Sequence, residues 1–281
     1  MVTEARAPRE SLELMLQVRP QTSGEYVAAL ESFWGETTKE DVLARVAAAA
    51  AYKAGAPPTS LQAGFLARAK LDEEMEIRCE TPLSNQLRAQ ARQVSSPICD
   101  VTFRFDPPAG ALTYQRDARW IEFPEPEALP SEAEQCARDG VPQFAAGPIE
   151  SRRVTPAGPV RDNEQAVWVA WLASRAPIAA DHVSQVSALV FLSAYRSHWA
   201  VERCLGPAFR ATRLSLSNFG LWIHRWVPWN GFWLVTTRTE IGVEGRCFSR
   251  REIHSRDGRL VASAVWEMSA SPMRSETNAT Q

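Results

Sequence analysis

Two stretches of this chain read as long apolar helices, and each is followed by the same series of strand-like segments, a repeat that restricts the fold more than any other feature. The first helix is expected over Lys39 to Lys53, where Asp41, Val42, Leu43, Ala44, Val46 and the run Ala47 to Ala51 join helix-forming side chains to an apolar body. Thr37 or Thr38 could cap its start, and Gly55 with Pro57-Pro58 stops it. Four strands are expected next, over Ser60 to Arg68, Glu73 to Thr81, Leu87 to Val94 and Ile98 to Phe105. In the second of these Met75, Ile77 and Cys79 alternate with Glu74, Glu76 and Arg78, the period of a strand with one wet face.

The second helix is expected from Asp181 or His182 through about Cys204, with Val183, Val186, Leu189, Val190, Ser193, Ser197 and Ala200 facing inward and Gly206-Pro207 ending it. Strands then fit Arg213 to Trp226, Phe232 to Gly242, Gly245 to His254 and Leu260 to Met268, with Asp257-Gly258 placed for a tight hairpin. A further strand fits before each helix, Tyr26 to Phe33 and Ala166 to Ala173. The two series start about 140 residues apart. A long apolar helix cannot bury itself, and a curved antiparallel sheet has a concave face to fill, so each sheet is expected to wrap its own helix. Joining the two units edge to edge also removes two open strands. The fold class is therefore α+β, with units over 1–106 and 163–270, a connector over 107–162 and a polar tail over 271–281. In the connector Pro107-Pro108, Pro124, Pro126, Pro130, Pro142 and Pro148 argue against continuous sheet, leaving room for a short helix around Ser131 to Ala137.

A formal net charge of -2 gives no basic footprint for nucleic acid. Arg152-Arg153 and Arg250-Arg251 could anchor a small anion, although such pairs are more often solvated surface. No apolar run is long enough to cross a bilayer, and Met1 to Glu13 lacks an apolar signal core, so the cytoplasm is the expected compartment. Five cysteines without metal-ligand spacing are read as reduced packing residues. Eight of the ten tryptophans lie in the second half, where they could line a cavity, fill a core or form an interface. No metal-binding, nucleophile-elbow, paired-carboxylate or glycine-rich phosphate motif is evident, and no metal or cofactor is expected.

Three segments resemble the acyl-CoA thioesterase II (TesB-like) family of the double hotdog fold. They are Gly245-Arg246 with Asp257-Gly258-Arg259-Leu260-Val261-Ala262-Ser263, then Leu216-Ser217-Asn218-Phe219-Gly220-Leu221-Trp222-Ile223-His224-Arg225, and Ser187-Ala188-Leu189-Val190-Phe191-Leu192-Ser193-Ala194. The likeness extends over roughly Ala166 to Met268 and rests mainly on element order before Asp106. It implies two hotdog units, an acyl-CoA or acyl carrier protein thioester as partner, and a phosphopantetheine tunnel between the units. In such relatives a carboxylate on the strand after the second helix, a hydroxyl on the next strand and a glutamine on the final strand hold the water that attacks the thioester. Here Asn218 stands in the carboxylate position, Thr239 falls near the hydroxyl position and Trp266 replaces the glutamine. An amide orients water but cannot take its proton at neutral pH.

The resemblance thus assigns catalytic positions to Asn218, Thr239 and Trp266; His182, near the start of the second helix, Trp222 and Glu267 are expected to bind substrate, although His182 also suits a surface or interface place. Each also has a structural reading: Asn218 could satisfy a helix end, Thr239 suits any strand, and Trp266 could fill a core. His198 with Glu202 suits a surface ion pair, His224 reads as structural and His254 as exposed. The missing base could come from Asp162, Glu164, Asp181, Glu240, Glu244 or Glu267. Hydrolysis of an acyl thioester leads the functional readings. A dehydratase, isomerase or cyclase acting on a tailored acyl or polyketide chain, and an inactive acyl-binding protein, stand as alternatives. A homodimer could use exposed tryptophans such as Trp226 or Trp229.

Overall fold

The computed structural model describes residues 12, 16–22, 24–30, 38–71, 73–94, 96–106, 123–139, 147–154 and 166–272. Thr37, Pro107-Pro108, Pro142, Asp162, Glu164, the end of the segment expected before the first helix and most of the polar tail lie outside these residues.

The first half contains β1 (Arg19–Thr22), β2 (Glu25–Ala28), α1 (Lys39–Ala54), β3 (Ser60–Phe65), β4 (Met75–Leu83), β5 (Gln86–Gln93) and β6 (Ser96–Arg104). A short α2 (Glu132–Asp139) lies between the halves. The second half has β7 (Ile149–Arg153), β8 (Ala166–Ser174), α3 (His182–Ala194), α4 (Trp199–Leu205), β9 (Thr212–Ile223), β10 (Trp233–Val243), β11 (Arg246–His254) and β12 (Leu260–Pro272). All twelve described strands join one antiparallel sheet in the order β1-β2-β4-β5-β6-β3-β9-β12-β11-β10-β8-β7. The order reads the same from either end once β1 to β6 are matched with β7 to β12. The seam is the β3–β9 pair, with Ser60 opposite Trp222 and Gly64 opposite Asn218. Two sheets wrapped on their own central helices and closed along one seam are the double hotdog architecture.

Local chemistry explains the helix limits. Thr38 and Asp41 form a reciprocal capping box at the start of α1, and Gly55 in the left-handed conformation ends it with its N–H on the Ala51 carbonyl at 2.9 Å. Ala44 and Ala47 to Ala51 of α1 are buried and carry little bulk, so α3 packs closely beside it. The two helices run antiparallel: His182 at the start of α3 meets the Ala51 carbonyl at the end of α1 at 3.3 Å.

Several sequence expectations are corrected. The stretch expected as one helix to Cys204 breaks over 195–198, where Arg196 takes a positive φ of 50° and the last carbonyls of α3 turn to an arginine on β11. His198 therefore stacks on Phe209, with centroids 6.2 Å apart, in place of pairing with Glu202. The segment after Pro148 is not mere connector: β7 lies at the sheet edge against β8, where a preceding proline interrupts no ladder. His254 is buried, its strand pairing extending to Leu260, and Trp229 is buried beneath Gln185, whose side-chain oxygen accepts the Trp229 backbone N–H. Trp226 remains exposed.

Candidate functional site

The inner faces of the two half-sheets differ in chemistry. On β10 and β11 the residues turned toward the helices include Thr237, Thr239, Ser249 and Arg251, and Trp266 of β12 lies beside them. Thr239 and Ser249 face each other across the strands with their hydroxyl oxygens 3.0 Å apart. One step along the same strands Arg251 faces Thr237 and donates its Nε–H to Oγ1 at 2.8 Å.

Arg251 is only 1% exposed. Its Nη1 donates to the carbonyls of Leu192, Ser193 and Tyr195 at 2.9, 3.1 and 2.8 Å, so the guanidinium caps the end of α3. The ring centroids of Trp266 and Trp168 lie 5.2 and 5.7 Å from the guanidinium carbon. Desolvation pulls Arg251 down to about 9, with the charges of Glu40 and Tyr195 acting in the opposite direction, and it remains a cation at neutral pH.

Glu40 enters this interior from the other half. It occupies the first turn of α1, whose N-terminal end abuts β9: Lys39 Nζ donates to Ser215 Oγ at 3.0 Å and to the Leu216 carbonyl. Crowding by protein drives the Glu40 carboxyl up to about 7. Its own backbone N–H, the Thr38 hydroxyl and Arg251 pull it down, while Asp41 adds to the rise. The residue nonetheless keeps part of its surface accessible. A carboxyl poised near neutrality has the protonation behaviour of a general acid or base. His198, whose neighbours include Arg196 and Arg251, is pushed down to about 4 by desolvation and then by those cations, so it stays neutral.

The residues proposed from sequence fall into three places. Thr239 and Trp266 belong to the inner face, where Trp266 is 1% exposed and stacks on Phe219 with centroids 6.3 Å apart. Asn218 and Glu267 lie opposite each other on β9 and β12 and face outward, Asn218 donating from Nδ2 to Glu267 Oε2 at 3.0 Å. With Trp222, Val265, Arg246 and Phe248 they line an outer groove of about 700 Å³ across the seam. Gly220 lets the Trp222 ring lie flat there, since a Cβ at this position would stand 3.1 Å from the ring. His182 sits at the far end of α1, eleven residues or about 16 Å from Glu40 along the helix axis. Of the carboxylates considered as a replacement base, Asp181 caps α3, Glu240 pairs with exposed Arg250 and Glu244 occupies a turn at φ 48°.

A β-bulge explains the outward turn of Asn218. Met268 is opposite Leu216 and Glu267 is opposite Asn218, so Ser217 is an extra residue in β9. Sequence reasoning missed both Glu40 and the interior place of Arg251. Alternation of Cys247, Ser249, Arg251 and Ile253 could have put Arg251 inside, and the capping signature Thr38 to Asp41 could have put Glu40 on the first helical turn.

Comparison with known families agrees with this architecture. The acyl-CoA thioesterase C-terminal domain model matches residues 123–268, just over half of the chain, and the chain belongs to that TesB-like family. No curated protein matches the sequence. Among solved structures, the chain is similar to an acyl-CoA thioesterase II, TesB2, from Mycobacterium marinum, with 17% identity, TM-score 0.75 and coverage of 96% of this chain and 98% of that one. The tesB protein of Mycobacterium avium subs paratuberculosis is also 17% identical, with TM-score 0.72 and coverage of 92% and 98%. A dehydratase domain of PpsC from Mycobacterium tuberculosis, solved in complex with C12:1-CoA, is 14% identical, with TM-score 0.50 and coverage of 90% and 97%. At such identities the structural likeness shows the shared fold alone. Among the described residues no helix is long and apolar enough to cross a membrane.

Proposed function

We propose that the protein hydrolyses an acyl thioester of coenzyme A or of a carrier protein, with Glu40 as the base that activates water. The observation that carries this reading is the Glu40 carboxyl, held near neutrality by burial in the first turn of a central helix and within electrostatic reach of Arg251 in the other half. Family membership supplies the substrate class. Above about 7 the carboxylate takes a proton as the water oxygen bonds to the thioester carbonyl carbon. The oxyanion then collapses, the carbon–sulfur bond breaks and Glu40 returns the proton to the departing thiolate, leaving free acid and thiol. Positive potential at the start of α1 favours the intermediate's charge. Thr239 and Trp266 wall the same interior. Asn218, Trp222 and Glu267 are assigned to the outer groove, and His182 to the opposite helix end.

A carboxyl near neutrality equally suits proton transfer at carbon, so loss of water or isomerisation is the second reading. The likeness to a dehydratase domain concerns fold alone. Mass spectrometry of products from a panel of acyl-CoA and carrier-bound substrates separates the readings. Free acid whose release is lost in Glu40→Gln supports hydrolysis; a product lighter by one water or of unchanged mass selects the second. Tight acyl binding with no product from any thioester sinks both.

A further inference from the structure

We infer that Arg251, Trp168 and Trp266 form a recognition site for a second oxygen within the acyl group, so that the preferred substrates are acyl thioesters bearing a ketone or carboxylate along the chain. This rests on the thioester reading above and adds to it a substrate class. The guanidinium has five N–H donors. Nε and Nη1 are committed to Thr237 and to the three carbonyls ending α3. Nη2 is buried and meets no acceptor among the described residues. The same holds for the indole Nε1 of Trp168 and of Trp266, in side chains 2% and 1% exposed that flank this guanidinium.

Three adjoining side chains thus hold buried donors and offer no lone pair. A buried donor left without a partner is costly, and here only an acceptor can complete the set. The charge gives the acceptor its character. Arg251 makes no ion pair with any described carboxylate, and the opposing charge it feels most is Glu40, at the accessible edge of the interior. An oxygen carrying full or partial negative charge therefore gains most from the site, whereas a plain alkyl chain would leave the donors bare. The two indole rings give the oxygen apolar walls, which strengthens each hydrogen bond by excluding water. The electrostatic coupling of Glu40 to Arg251 ties this recognition to the proposed base.

Binding without turnover isolates the inference. Calorimetry would compare three non-reactive thioether analogues of coenzyme A: an octyl chain, the same chain with a 3-oxo group, and one of equal length ending in carboxylate. Wild type is expected to bind at least one oxygenated analogue about tenfold more tightly than the octyl analogue. The ratio should fall toward one in Arg251→Met, drop several-fold in Trp168→Phe and Trp266→Phe, and be partly kept in Arg251→Lys. Should Arg251→Met fail to fold, the two indole variants carry the test. The 3-oxo and carboxylate arms separate ketone from acid. Equal binding of all three analogues, binding of none, or a preference untouched in both indole variants overturns the inference. Turnover of octanoyl-CoA and 3-oxooctanoyl-CoA, measured alongside, reports on hydrolysis separately: no free acid from either sinks the thioesterase reading and leaves the binding ratio to be judged alone.

Discussion

Across β4 and β5 the inward pairs are Ile77 with Ala91 and Cys79 with Ala89; at the matching places across β10 and β11 they are Thr237 with Arg251 and Thr239 with Ser249. The backbone register is shared, yet at these matching positions one half-sheet is apolar and the other polar. The apolar half packs α1 tightly and so fixes the direction in which its first turn, with Glu40, projects. The polar half supplies the wall that this turn faces. A repeated fold can keep one copy for packing and modify the other, because each sheet needs only one apolar helix to close its core. Here the site takes its acid from one half and its cation from the other.

The comparison predicts different failures in the two halves. The largest loss is expected from Phe103→Ala in the apolar interior, where a fully buried ring leaves a cavity: about 4 kcal/mol in chemical denaturation. Giving the polar half the residues of its counterpart, Thr237→Ile with Arg251→Ala, strips the α3 carbonyls of their donor. That exchange should cost about 3 kcal/mol, although the same pair is native on β4 and β5. A double variant as stable as wild type would show that the polarity is incidental to the fold.

Glu40→Gln should lower free-acid release about 100-fold, near 2.7 kcal/mol in barrier, at pH 8. The rate in wild type should rise with pH through about 7, and this rise should vanish in the variant. Stability moves the other way. The folded carboxyl titrates near 7 against an ordinary value of 4.5, so its contribution is full below 4.5 and is lost as pH rises through 7. Activity therefore appears where this stabilisation fades. Denaturation midpoints between pH 4.5 and 8 that keep the same slope in Glu40→Gln would contradict this account.

Much of this architecture was legible in the sequence because it depends on local periodicity. The α1 capping signals and the alternation in β4 placed that helix and that strand to within a few residues. The double hotdog resemblance rested on the second half, which the family match also spans. Side-chain direction was less legible. A single bulge at Ser217 separates Leu216, turned inward, from Asn218, turned to the outer groove, and nothing in Leu216-Ser217-Asn218 announces the extra residue. Glu40 was hidden for a different reason: its chemistry comes from burial in the folded chain, which the local sequence around Thr38 to Asp41 does not reveal. Arg250-Arg251 looked like solvated surface because the pair has one residue on each face of β11, and only the second turns inward.

The smallest test exchanges one hydroxyl between the halves. Ser249→Ala removes the partner of Thr239 Oγ1, and Ala89→Ser adds a hydroxyl opposite Cys79 at the matching position of the apolar interior. Ser249 and Ala89 are both fully buried, so water cannot compensate either change. Removing Ser249 Oγ deletes one neutral hydrogen bond, an expected cost of about 1 kcal/mol, partly because Thr239 also contacts Cys204 and is not left bare. Ala89→Ser should cost slightly more, about 1.5 kcal/mol, since the thiol opposite is a weak acceptor. If Ala89→Ser is neutral while Ser249→Ala is costly, the apolar half tolerates polarity and its composition does not follow from packing. Costs in the expected order, read as shifts in denaturation midpoint at unchanged slope, would tie the asymmetry to the partners each half provides.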